Sequence, residues 1–178
     1  MANTRLNFDE INSLIEAWRG VDLSKNKKQI IDGILDYLIY AYIWGVEDVS
    51  DALGKNIEPD SEKMKKAIYR KIDGKDFEER LNEYADNNDI EGIKRVAETE
   101  THRDYNEAII DSAQNNGAKN KTWNTMQDWR VREEHTWLEG VTVPIDADFY
   151  IGDASAPAPG LFGVPELDVN CRCFLTVS

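Results

Sequence analysis

The chain has 178 residues, of which 34 are acidic and 21 are Lys or Arg, for a net charge of -13. That balance excludes broad nonspecific binding to nucleic acid, which needs a surplus of cationic side chains on one face. A hydrophobic content of 41%, with five Trp, seven Tyr and five Phe, supplies a core and excludes disorder over most of the length.

Phe8, Ile11, Leu14, Ile15 and Trp18 recur at helical spacing, and Gly20 follows as a stop. Ser24 can cap a second helix with a wide apolar stripe through Ile30, Ile31, Ile34, Leu35, Leu38 and Ile39, ending at Gly54. Gly45 within it marks a bend or a close helix contact. The most apolar run, Tyr37 to Val46, is shorter than the ~20 residues a bilayer span needs. Asp32, Asp36, Glu47 and Asp48 flank it, so the reading is a buried helix and no membrane. The N-terminus lacks the basic, apolar and small-residue order of a secretory leader.

Pro59 suits the first turn of a third helix, with Met64, Ile68 and Ile72 on its apolar face and Gly74 at its end. Its Lys63, Lys65, Lys66, Arg70 and Lys71 are bracketed by acidic residues and read as a solvated face. Phe77, Leu81 and Tyr84 predict a fourth, short helix. Asp89 then caps a long one carrying Ile90, Ile93, Val96, Ala97, Ala108, Ile109 and Ala113, closed by Asn116-Gly117.

Beyond Gly117 the pattern changes. Thr122-Trp123 reads as a short strand, and Asp128 as the cap of a helix carrying Val131, His135 and Leu138 up to Gly140. Val141 to Val143 and Phe149 to Ile151 read as strands, Gly152 to Pro165 as a loop without regular structure, and Val169 to Val177 as a final strand. The fold class is α+β: N-terminal helices, residues 1–88, followed by residues 89–178 with a small mixed sheet and packed helices.

The scarce reactive side chains gather late in the chain. Cys171 and Cys173, the only cysteines, share one face of the last strand. A C-x-C disulfide is strained, so reduced thiols are expected. With His135 and a carboxylate such as Asp128 they could hold zinc. The usual two-residue gap between paired cysteines is missing, however, so buried apolar thiols with no cofactor are the expectation. His135 is either a base or ligand, or a side chain that hydrogen-bonds strand backbone and fixes the helix-to-sheet junction; the second is expected. Arg132 and Arg172 are expected to pair with Glu100 and Asp128. Trp123, Trp129 and Trp137 are expected in the core, while Leu161 and Phe162 either fold back onto the domain or anchor a partner.

Read together, these residues carry a resemblance. Arg95, Thr99 and Glu100 open the pattern, then Lys121 and Trp123, then Asp128, Arg130, Val131, Arg132 and His135, then Leu138 and Gly140. Pro165 precedes a closing Asn170-Cys171-Arg172-Cys173. From about Arg95 to Cys173 the chain resembles the phage Mu protein F-like family of minor head proteins, also called phage head morphogenesis proteins. The resemblance implies a noncatalytic, low-copy component of the virion, inside the capsid near the portal, passing through host cytoplasm during assembly. Its implied partners are the portal protein or the inner capsid surface, with DNA contact secondary. Two other readings remain open. One is an ADP-ribosyltransferase-like enzyme or toxin, using Arg95 or Arg132, Thr99 or Thr122, and Glu100. The other is an acidic immunity-type protein that neutralises a basic partner.

Overall fold

A computed structural model describes residues 4–178. The first helix, α1 (Phe8–Glu16), starts where the Asn7 side chain accepts the Asp9 N–H, and it buries Phe8, Ile11 and Ile15 on one stripe. A single 3-10 turn, Leu23–Lys25, leads into α2 (Lys27–Leu53). The N-cap of α2 is Asn26 rather than Ser24, and Gly54 closes it at φ 61°. Helix α3 (Ser61–Ile68) is capped by Asp60, whose carboxylate accepts from the Glu62 and Lys63 N–H groups. Pro59 therefore lies just outside the helix, and the chain leaves α3 six residues before Gly74. Helix α4 (Phe77–Asp86) begins with a reciprocal Asp76–Glu79 capping box.

Helix α5 (Ile90–Asn116) is the spine of the molecule. Asp89 caps its start, and Gly117 at φ 87° ends it as expected. It packs along α2, and also against α1, α3, α4 and the last strand. Where α2 and α5 cross, a Cβ at Gly45 would stand 2.4 Å from the Tyr105 carbonyl oxygen and 2.8 Å from the Ala108 Cβ. Glycine is there because two helix backbones touch.

The C-terminal part folds as β1 (Asn120–Thr125), α6 (Glu133–Thr136), β2 (Thr142–Pro144), β3 (Phe149–Ile151), β4 (Ala154–Ala156), α7 (Pro165–Asp168) and β5 (Cys173–Val177). β1 lies between β2 and β5, antiparallel to both, and β3 pairs with β4 as a separate antiparallel hairpin. The α+β class is as expected. The sheet itself is antiparallel rather than mixed among the described residues, because its connections return each strand beside its partner without a crossover in the same direction. Three local expectations also change. The helix near His135 has a single turn, starting after Arg132 and not at Asp128. The stretch after Gly152 contains β4 rather than irregular loop alone. The last strand begins only at Cys173.

One continuous hydrophobic core runs from Leu6 through Phe77 and Ile109 to Trp123 and Leu175. The change from helices to strands falls after α5, between Asn116 and Asn120, within a shared core. No helix among the described residues is long and apolar enough to cross a membrane.

Candidate functional site

The middle of α5 is unusual for a buried helix. Thr99, Glu100, Thr101, His102, Arg103, Asp104 and Asn106 are all buried, polar and consecutive or nearly so. Neighbours surround this segment on every side, so a polar group here needs a partner in the protein; the Thr101 hydroxyl and both Asp104 oxygens have no hydrogen bond. Glu100, 1% exposed, accepts from Arg80 at 2.9 Å and from Arg103 through both of its oxygens at 2.8 and 3.0 Å. Arg103 also donates to the Gly160 carbonyl at 2.9 Å, tying the loop after β4 to the helix. Asp104 is fully enclosed; burial, then the nearby Glu100 charge, push its carboxyl well above the usual range against the pull of Arg70 and Arg103.

Two residues of α5 hold β5 by its backbone. Asn106 donates to the Cys173 carbonyl at 3.2 Å and accepts the Leu175 N–H at 3.0 Å, so its amide serves as a stand-in strand edge. The His102 ring contacts the same Cys173 carbonyl through Nε2. Fixing helix to sheet was the task expected of His135; His102 performs it.

His135 instead points at the thiols. Its Nδ1 lies 3.4 Å from the sulfur of Cys171 and 3.4 Å from that of Cys173. Both cysteines are free and buried. The ring stands edge-on to Trp123, with centroids 5.6 Å apart. Burial pushes both thiols up. At Cys171 the hydrogen bond with Cys173, the charge and hydrogen bond of His102, and the hydrogen bond with His135 outweigh that effect and hold the thiol well below its ordinary range. Cys173 moves the other way, raised by burial and by Cys171 beside it.

The rest of the expected constellation is distributed around this cluster. Trp123 is fully buried and packs against Phe149 and Phe162. Gly140, at φ 75°, donates its N–H to the Trp123 carbonyl at 2.9 Å. The hydroxyl of Thr99 accepts the Asn170 N–H. Arg172 clamps Asp128 through Nε at 2.6 Å and Nη2 at 2.5 Å, as expected of that pair. Arg132 does not join a carboxylate; it donates to the Val169 carbonyl. Nor does Asp128 belong to the thiol cluster, because Arg172 and the Arg130 N–H occupy both of its oxygens. Arg95 is exposed on α5, away from the other members.

Leu161 and Phe162 fold back onto the core. Only Trp123 of the three expected core tryptophans is buried: Trp137 is 70% exposed and Trp129 91% exposed. Trp129 instead borders a groove of about 500 Å³ lined by Lys94, Arg130, Arg132 and Arg172, with Glu98 as its acidic member. This is a cationic strip on an acidic protein, and net charge hid it from the sequence.

The family profile described as "Phage Mu protein F like protein" matches residues 61–176. The chain belongs to the phage Mu protein F-like family. The match begins at Ser61, the first residue of α3, so the family's domain takes in α3 and α4 as well as the segment from Arg95 that carries the recognisable motifs. A stretch of 53 residues is 43% identical to the NAD(+)--arginine ADP-ribosyltransferase EFV of Enterococcus faecalis, covering 30% of this chain and 11% of that protein. The chain thus matches about a tenth of the length of that curated relative. No solved structure is significantly similar to it.

Of the residues suggested for an ADP-ribosyl-transfer cleft, Arg132 and Thr99 meet on the adjoining Val169 carbonyl and Asn170 N–H, but the carboxylate is enclosed. Glu100 is sealed beneath Arg80 and Arg103, Arg95 faces solvent, and Thr122 shares its hydroxyl with Thr142 across the β1–β2 pair at 2.8 Å. At 1% exposure Glu100 is enclosed.

Proposed function

We propose that this protein is a phage head morphogenesis protein, a minor component of the virion that acts by binding near the portal during head assembly and DNA delivery. Membership of the Mu F-like family over residues 61–176 is the observation that carries this reading. Its site of action is the capsid interior, reached from the host cytoplasm during assembly. The portal or the inner head surface is the main partner, and an acidic protein is drawn to basic patches there by long-range attraction. The cationic groove beside Trp129 supports a secondary contact with DNA, since an exposed indole can stack on a base while arginines meet phosphates. Co-purification of the chain with the phage's portal protein, and its detection by mass spectrometry in purified particles, test the reading. Particles that lack the protein overturn it.

The activity named for the Enterococcus faecalis relative is not carried over, because the match spans 11% of that protein and Glu100 is enclosed. Incubation with labelled NAD is expected to give neither hydrolysis nor transfer. Turnover by the purified wild-type chain would contradict this.

A further inference from the structure

Hydrogen bonding alone does not account for the geometry around His135. Its Nδ1 is equally close, 3.4 Å, to two sulfurs, and the three donor atoms all lie within 4.8 Å of one another. An imidazole nitrogen offers either one proton or one lone pair, so it serves one thiol well but not two. A tetrahedral cation, with bonds of about 2.3 Å to sulfur and about 2.0 Å to nitrogen, holds such ligands roughly 3.5 Å apart. The two observed separations sit at that spacing.

The chain builds this arrangement from three elements. Cys171 lies in the turn after α7, its N–H bonded to the Asp168 carbonyl, and Cys173 opens β5. Arg172 between them faces the other way, onto Asp128, which leaves both sulfurs inward. His135 comes from α6, opposite.

We infer that His135 Nδ1, Cys171 Sγ and Cys173 Sγ form a buried structural site for a soft tetrahedral divalent cation, and that the ion is zinc. Thiolate and imidazole donors select such ions over magnesium or calcium. Two thiolates balance the charge of the ion, so the occupied site puts no net charge into the core. His135, Cys171 and Cys173 are at most 2% exposed, which makes the role structural. His102 supports the site from α5: it is fully buried and its Nε2 contacts the carbonyl of Cys173. Asp128, the carboxylate that the spacing suggested, is held away by Arg172. The ion would fasten α6, the turn after α7 and β5 at one point.

The inference stands apart from the virion role, because its test uses the isolated chain. The untagged full-length protein, purified from zinc-supplemented cells, is weighed by native mass spectrometry and assayed for metal. One zinc per chain is expected, released in step with modification of the two thiols by a mercurial. Exchange for cobalt(II) should give the intense visible bands of a tetrahedral ion and the near-ultraviolet charge transfer of two thiolates. Cys171→Ser and Cys173→Ser each lose the metal, Asp128→Asn keeps it, and His102→Gln weakens binding by roughly 10- to 100-fold, the range seen when supporting groups are lost. If the cysteine variants do not fold, the wild-type cobalt spectrum still decides. A wild-type chain of apo mass, or cobalt bands without thiolate charge transfer, overturns the site.

Discussion

The helical body and the sheet region are held by different means. Helices α1 to α4 bury apolar stripes such as Phe8, Ile11 and Ile15 or Phe77 and Leu81, and the starts of α1, α3 and α4 are set by caps at Asn7, Asp60 and Asp76. Burial of that kind is non-directional and spread over many side chains. The strands after Gly117 are short, and they are fastened to α5 by particular polar atoms: Asn106 and His102 on the Cys173 carbonyl, Arg103 on Gly160, and Thr99 on Asn170. The sheet region is thus specified by directional contacts. The helical body is specified by pattern.

Replacing Trp123, the largest fully buried side chain of the sheet region, should have the largest effect. Trp123→Ala is expected to cost about 3–5 kcal/mol, measured by urea unfolding. A loss below about 1 kcal/mol would mean that the apolar centre hardly matters and that the polar ties suffice on their own.

The matching change in the helical body is Gly45→Ala, which drives a methyl group into the Tyr105 carbonyl. It should cost about 1–3 kcal/mol, the usual range for overpacking, read as a lower thermal midpoint. A neutral result would show that α2 and α5 can separate freely.

How much of this was legible in the sequence follows the same division. Apolar periodicity gave α1, α2 and α4 nearly in full, and glycine at positive φ marked the ends of α2 and α5. In α5 the apolar pattern lapses between Ala97 and Ala108, and that gap holds the residues that matter most, among them Glu100, His102, Arg103 and Asn106. Periodicity cannot see a helix buried on all sides, because no polar face is left to define the stripe. A run of uncompensated polar residues inside a long helix was the available signal. The Asp128–Arg172 pair and the gathering of His135 with both cysteines could be reached from residue type. The exposure of Trp129 and Trp137 could not, since composition does not say which indole lies over the core.

A smaller effect sharpens the account of the surface ties. Asp128 is partly exposed; desolvation raises its carboxyl, but the hydrogen bonds and charge of Arg172, with the Arg130 N–H, outweigh it and hold it below the usual range. A depressed carboxylate stabilises the fold above its unfolded value, near 3.9, and that share is lost as pH falls through the folded value. Asp128→Asn should therefore lower stability near neutral pH by no more than about 1 kcal/mol. The midpoints of variant and wild type should converge in acid, below about pH 4. A gap that persists there would mean the tie is not ionic.

The smallest change expected is at the groove. Trp129→Ala should shift stability by less than about 0.5 kcal/mol, because the indole is 91% exposed. The same variant should weaken any contact with single-stranded DNA by about 1–3 kcal/mol, followed by fluorescence anisotropy of a labelled oligonucleotide.

Hydrogen exchange in Asn106→Ala tests most directly whether α5 holds the sheet through single polar atoms. Losing that amide strands the Leu175 N–H, at about 1–3 kcal/mol, so amides of β1 and β5 should exchange roughly tenfold to hundredfold faster while those in the centre of α2 keep their wild-type rates. Equal acceleration throughout the molecule, or none in β5, would contradict the account.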